Sequence, residues 1–297
     1  QHKLAIIGAF AVAIREGRFS RSTDGPLAKK SVSDSVNAVA ATFRENGRED
    51  PHRDAERNVG RLLQRQLRSY SKNDPKAIQQ KALPICVYRL LLASPAADLR
   101  RAISELAAAA HFWAMRSCEY SKVSRAEQRQ TKQLCLRNIA FIKDGNTLSH
   151  TSTILHLAEC ISITFERQKN DRKSDTVTQW RTSDPIMCPV KLWASIVTRI
   201  LSIKGTNKDS PVSLAKHRNS TISITSEMVA NLLRDGVVTI GETKLGIHRS
   251  EIGTHSIRSR AAMAMYLPGV PIFSIMLIGR WSSLTFLQYI RKQVQKF

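Results

Sequence analysis

The stretch GTHSIRSRAAMAMY sets His255 and Arg258 three residues apart at the start of a helical run, which puts them on one face. Upstream, HFWAMRSCEYSKVS sets Arg116 three residues before Glu119. Arg116 ends the apolar run ISELAAAAHFWAM, where an unneeded charge is costly and a carboxylate three residues on can hold the guanidinium. Near the C-terminus, GRWSSLTFLQYIRKQ carries Trp281 and Tyr289. A phosphodiester handled without metal calls for such groups. Its non-bridging oxygens carry charge that grows in the transition state, and arginine binds them bidentately while staying ionised. Two arginines from different elements, a nucleophile and a proton donor for the leaving oxygen would complete the set. Each residue also has an ordinary reading. Tyr289 could edge a core of Leu284, Phe286, Leu287 and Ile290, His255 could be structural, and Arg116 could simply pair with Glu119.

These groups need elements to hold them. The first 75 residues read as helices over about 4–17, 30–46 and 55–72, broken at STDGP and NGREDP. The run LAIIGAFAVAI resembles a signal-peptide core, but it lacks a small-residue cleavage site and continues as an amphipathic helix, so a buried helix is expected. In the third helix Arg57, Arg61, Arg65, Arg68 and Lys72 recur at steps of four and three, with Val59, Leu62, Leu63 and Leu67 on a different face. No acid interrupts the stripe, which reads as a surface tracking DNA phosphates rather than a merely solvated face. SKNDPK reads as a linker. Beyond it, helices are expected at 77–94 and 97–117, then strands in LCLRNIAFI (ending at the KDGN turn), ISITFER and TVTQW. Helices resume at 189–203, 226–234, 256–267, 271–278 and 284–294. The fold expected is mainly α (α+β): a helical DNA-binding domain over 1–75, and over 76–297 a helical domain with a small antiparallel sheet.

Composition narrows the partner. Forty-six Lys and Arg against 24 Asp and Glu give +22 over 297 residues, a balance suited to a polyanion, with nucleic acid first. No apolar run approaches the roughly 20 residues of a spanning helix, so no membrane partner is expected. Five widely spaced cysteines without a CxxC pair, and eight histidines without a ligand cluster, point to reduced thiols, an intracellular compartment and neither metal nor cofactor. The chain opens at Gln1 without methionine, as a processed or cropped fragment would.

In order, Arg116, a lysine, His255-x-x-Arg258, Trp281 and Tyr289 resemble the tyrosine recombinases, or phage-type integrases. The stretch THSIRSRAAMAMYLPGVPIFSIMLIGRWSSLTFLQYIRKQ resembles the catalytic core of Cre-like members, and more closely the recombinase-like proteins of eukaryotic mobile elements such as Cryptons. The motif resemblance covers about residues 100–292. Trp281 and Tyr289 stand eight apart where many members have nine; one residue rotates a helical position by about 100°, which the turn at Ser282-Ser283 has to absorb. The resemblance implies that two domains clamp duplex DNA and that Tyr289 attacks a backbone phosphate to give a 3′-phosphotyrosyl link, without metal or ATP. It assigns Arg116 and Arg258 to the phosphate, His255 to the tyrosine proton, Trp281 to a phosphate oxygen through its indole N–H, and Glu119 to support of Arg116. A hairpin lysine would protonate the leaving oxygen: Lys169 is the first choice and Lys173 the alternative. A homotetramer on DNA, and a nuclear location in a eukaryote, would follow. A recombinase-derived protein that only binds DNA, and a type IB topoisomerase-like enzyme, are the competing expectations.

Overall fold

The computed structural model describes residues 2–19, 26–54, 56–75, 80–123, 131–168, 173–287 and 290. The chain divides into two compact units, Gln1–Ala77 and Ile78–Phe297.

In the first unit, helices α1 (His2–Arg15), α2 (Lys29–Glu45) and α3 (Arg61–Asn73) close on Ile7, Ala11, Ile14, Val32, Val36 and Leu63. Asp74 ties the bundle together, accepting from the Lys29 backbone at 2.6 Å and pairing with Arg15, whose guanidinium lies 4.9 Å from the Tyr70 ring centre. The first helix buries one stripe, Ile7, Ala11 and Ile14, as an amphipathic helix does, while Ile6 on the other side is 58% exposed.

The third helix starts six residues later than its charge periodicity indicates. Asp54 Oδ1 accepts the backbone N–H groups of Glu56 at 3.1 Å and Asn58 at 2.9 Å, and Arg57 takes a left-handed φ of 62°. Such side-chain-to-backbone bonds compete with helix. Arg57 therefore sits in a turn, while Arg61, Arg65, Arg68 and Lys72 remain exposed on α3. Leu62 also leaves the expected apolar face, being 74% exposed.

The second unit is built around α5 (Asp98–Phe112), with α4 (Ile85–Ala93) before it and α6 (Ser117–Tyr120) after it. Ala107 to Ala110 are all fully buried, small enough for neighbouring helices to approach α5 closely. Strands β1 (Ile139–Lys143), β2 (Asn146–Leu148), β3 (Cys160–Arg167) and β4 (Lys173–Trp180) form an antiparallel sheet in the order β2-β1-β3-β4. The expected KDGN turn joins β1 to β2, with Asp144 and Gly145 both at positive φ (51° and 71°), the primed geometry that matches strand twist. On β3, Ile161, Ile163 and Phe165 face the core; on the other side Ser162 and Thr164 bond the hydroxyls of Thr178 and Thr176 at 2.7 and 2.9 Å.

Then follow α7 (Pro189–Leu201), a hairpin of β5 (Leu214–His217) and β6 (Ser220–Ser223), α8 (Ser226–Ile240), α9 (Glu242–Leu245), α10 (Thr254–Tyr266) and α11 (Ile272–Gly279), with a 3-10 turn at Leu284–Phe286. Trp113 joins three elements: its indole N–H donates to Val177 O on β4 at 2.9 Å, and its ring meets Trp193 of α7 edge-on at 6.1 Å. Several boundaries differ from expectation. Residues 80–84 are extended, so α4 starts at Ile85; α5 stops at Phe112; the strand expected from Leu134 begins only at Ile139, after a 3-10 turn; β4 begins at Lys173. The β5–β6 hairpin and α9 were not expected. The helix expected to stop at 234 runs on through Gly236, where a Cβ would lie 2.7 Å from Val87 Cγ1; the glycine lets α8 lie against α4. None of the five cysteines is paired with another, and no described helix is long and apolar enough to cross a membrane.

Candidate active site

Two helix ends build the site. At the end of α5 the chain makes a Schellman turn: Met115 N–H bonds Ala110 O at 3.1 Å and Ala114 N–H bonds His111 O at 3.0 Å, with Ala114 at a left-handed φ of 45°. At the end of α11 the same turn recurs. Trp281 N–H bonds Met276 O at 2.9 Å, Arg280 N–H bonds Leu277 O at 3.1 Å, and Arg280 has φ 55°. Both turns leave carbonyls at the negative ends of helices, where guanidinium groups are favoured.

Arg258, one helical turn after His255 on α10, donates to both ends: Nη1 to Ala114 O, and Nη2 to Gly279 O at 2.7 Å. Only 2% exposed, its guanidinium lies 4.3 Å from the ring centre of Trp281. The packing is tight enough to dictate a residue, because a Cβ on Gly279 would fall 1.7 Å from Trp281 Cζ3. Gly279→Ala should therefore push the indole off Arg258, lowering stability by roughly 1–3 kcal/mol as overpacked cores do. Thermal unfolding of the variant would measure the loss.

Arg116 precedes α6 and is held by Glu119 twice. Its backbone N–H donates to Glu119 Oε2 at 2.8 Å, and Nη1 donates to Oε1 at 3.1 Å. Glu119 itself is fully buried. Burial alone would raise its pKa, but Arg280, Arg116 and Arg258 outweigh it and hold the carboxyl below the usual range. Arg280, absent from the residues expected in the site, is the third guanidinium. Nη2 donates to Glu119 Oε2 at 2.6 Å, Nη1 to Trp113 O at 3.0 Å and Nε to Gln168 Oε1 at 3.1 Å, and the group lies 3.5 Å from the Phe165 ring centre.

His255 sits in the first turn of α10, its backbone N–H capped by Gln80 Oε1 at 2.9 Å, with its side chain accessible. Partial burial of the ring, then the charges of Arg258 and Arg116, lower its pKa, which leaves the imidazole neutral near pH 7 and able to accept a proton. The structure thus brings together Arg116, Glu119, His255, Arg258 and Trp281. Lys169 and Tyr289 lie outside the described residues; Lys173 is placed by its backbone alone, opposite Arg167 in the β3–β4 ladder. The stripe of Arg61, Arg65, Arg68 and Lys72, like Arg57, belongs to the other unit. Among the described residues no three His, Cys, Asp or Glu gather as metal ligands would.

No protein-family model matches the sequence, and no curated protein does. Solved structures do match the fold. The Tn1549 transposon integrase in complex with a circular intermediate DNA aligns with a TM-score of 0.54 at 11% identity, over 99% of this chain and 84% of that one. The same integrase in complex with transposon right end DNA gives 0.51 at 10%, over 99% and 85%. The XerH site-specific recombinase bound to its difH substrate gives 0.51 at 12%, over 91% and 64%. At such identities the likeness speaks for architecture, and the architecture is the one the sequence resemblance implies: this chain is built on the tyrosine recombinase fold.

Proposed function

We propose that the protein is a DNA strand transferase, a site-specific recombinase or integrase working through a phosphotyrosine. The observation that carries this reading is the convergence of Arg116, His255 and Arg258, with Trp281 stacked on Arg258, in a chain of this fold and charge. The substrate is double-stranded DNA, and exchange between two duplexes calls for four copies of the chain on DNA.

In this mechanism Arg116 and Arg258 neutralise the non-bridging oxygens of the scissile phosphate. Arg258 is already aimed by two backbone carbonyls, so little reorganisation accompanies the reaction. The Tyr289 oxygen attacks phosphorus as its proton passes to neutral His255. The bond to the 5′-oxygen breaks, and that oxygen takes a proton from Lys169, or from Lys173 in its place. A 3′-phosphotyrosyl ester and a free 5′-hydroxyl result. One phosphoester replaces another, so the reverse reaction reseals a strand without ATP.

A randomised substrate tests this without a defined target site. Wild-type protein is incubated, with EDTA present, with a library of duplexes of random sequence, nicked so that the cleaved end diffuses away, and DNA attached after denaturation is collected. Enriched, covalently bound duplexes are expected. Attachment without sequence preference, together with relaxation of supercoiled plasmid, would point to a topoisomerase-like enzyme. Binding without attachment would leave a DNA-binding protein.

The exposed cations of α3 extend the reading to affinity. Arg61→Ala, Arg65→Ala and Arg68→Ala together should weaken binding to every duplex. They should also flatten the plot of log affinity against log salt by about 0.9 for each phosphate that is no longer neutralised. An unchanged slope would make this face merely solvated.

A further inference from the structure

We infer that Arg280 is a positioning residue that holds the Glu119 carboxylate away from full pairing with Arg116, leaving the Arg116 guanidinium available to the phosphate; this rests on the reading proposed above. Glu119 faces three guanidinium groups, those of Arg116, Arg258 and Arg280, with Asp175 beyond Arg280 and His255 beyond Arg116 and Arg258. Three cations against one carboxylate leave a surplus of two positive charges. Without Arg280, Oε2 would keep only the Arg116 backbone N–H, the carboxylate would be set against Arg116 at short range, and the surplus would halve.

The environment of Arg280 favours this role over simple cohesion. Its side chain is 1% exposed, as is that of Glu119. A buried ion pair carries a desolvation penalty that apolar side chains of similar volume avoid, so stability alone does not explain why this one is here. Its bonds run to the site from three directions. One reaches Glu119, which holds Arg116. One reaches Trp113 O, next to the Ala114 carbonyl that takes Arg258. The third reaches Gln168, which is 3% exposed, donates to Asp175 Oδ2 at 2.6 Å and directly precedes Lys169 in sequence. Arg280 also stands nine residues before Tyr289. One side chain thus fixes the supports of both phosphate-binding arginines and the end of the strand leading to the hairpin lysine.

The test compares Arg280→Met, Glu119→Gln and the double variant in the full chain, reading single-turnover adduct formation, DNA affinity, and thermal unfolding between pH 5.5 and 8. Arg280→Met should slow adduct formation at least 100-fold while DNA affinity changes less than about threefold. Adding Glu119→Gln removes the carboxylate as well, restores the surplus of two, and should recover at least tenfold of the lost rate. If the double variant is no faster than Arg280→Met, Arg280 serves packing only and the inference falls; wild-type rate in Arg280→Met overturns it equally. Should Arg280→Met fold poorly, the double variant compared with Glu119→Gln still decides: with no carboxylate at 119 left to hold, losing Arg280 should slow cleavage less than tenfold, and a larger loss overturns the inference. Thermal unfolding decides even if the wild-type protein forms no adduct, an outcome that would sink the recombinase reading by itself. In wild type the Glu119 carboxyl is held below its ordinary value, so its contribution to stability is unchanged from pH 8 to 5.5 and is lost only at lower pH, as the carboxyl protonates. In Arg280→Met burial would raise that pKa, so the deficit against wild type should shrink as pH falls towards 5.5. A deficit constant across the range would mean that Arg280 does not balance Glu119.

Discussion

Tyr289→Phe should bind duplex DNA as the wild-type protein does and form no adduct that survives denaturant. The phenol oxygen is the atom that bonds to phosphorus, and phenylalanine differs only in lacking it, so covalent attachment should drop below detection while binding is retained. Binding is assigned to the α3 cations and to Arg116 and Arg258, none of which the change touches. Parallel gel-shift and denaturing-gel assays on the same nicked duplex would separate the two properties. An adduct of equal yield from the variant would move the nucleophile elsewhere, and Tyr266, 37% exposed at the end of α10, would be the first place to look.

Lys169→Ala carries the next largest effect. If Lys169 protonates the departing 5′-oxygen, its loss should slow cleavage of ordinary DNA by about 10²–10⁴-fold, the range for a general acid. With sulfur in place of that bridging oxygen, the leaving group departs as a thiolate that needs little protonation. The variant should then cleave the sulfur-bridged duplex almost as fast as wild type. Arg258→Ala should stay slow on both substrates, since the charge on the non-bridging oxygens is the same in each. Equal defects of Lys169→Ala on the two substrates would remove Lys169 from the role, and selective rescue of Lys173→Ala would move the role to the start of β4.

How far the sequence revealed the site depends on the range of the forces involved. His255 and Arg258 are legible because one helical turn relates them, and Arg116 with Glu119 because three residues do. The alternation of Ile161, Ile163 and Phe165 marked β3, and Asp144-Gly145 marked the turn of its hairpin neighbour, both from local rules. Arg280 was not legible. A single arginine in IGRW has no periodic signal, and its burial is decided by Glu119, 161 residues away, and by the ring of Phe165. The α3 stripe shows the opposite failure, a periodicity that continues past the helix: Arg57 keeps the four-residue step, but Asp54 binds the backbone first. The helix expected to end at 234 runs on through Gly236, which lets Val87 in, a reason only tertiary packing supplies. The β5–β6 hairpin was missed because its strands are four residues each and its turn uses Arg218 at φ 54° in place of glycine.

The hydrogen bonds described for Glu119 and Arg280 come entirely from within the protein, from Arg116, Trp113 and Gln168 and from each other, and none waits for DNA. On the reading proposed above, a chain in which phenylalanine replaces Tyr289 would keep this network, because none of these bonds uses the lost phenol oxygen. Quality control reads folding, and would pass it. On that reading it would still occupy DNA and compete there with the active protein.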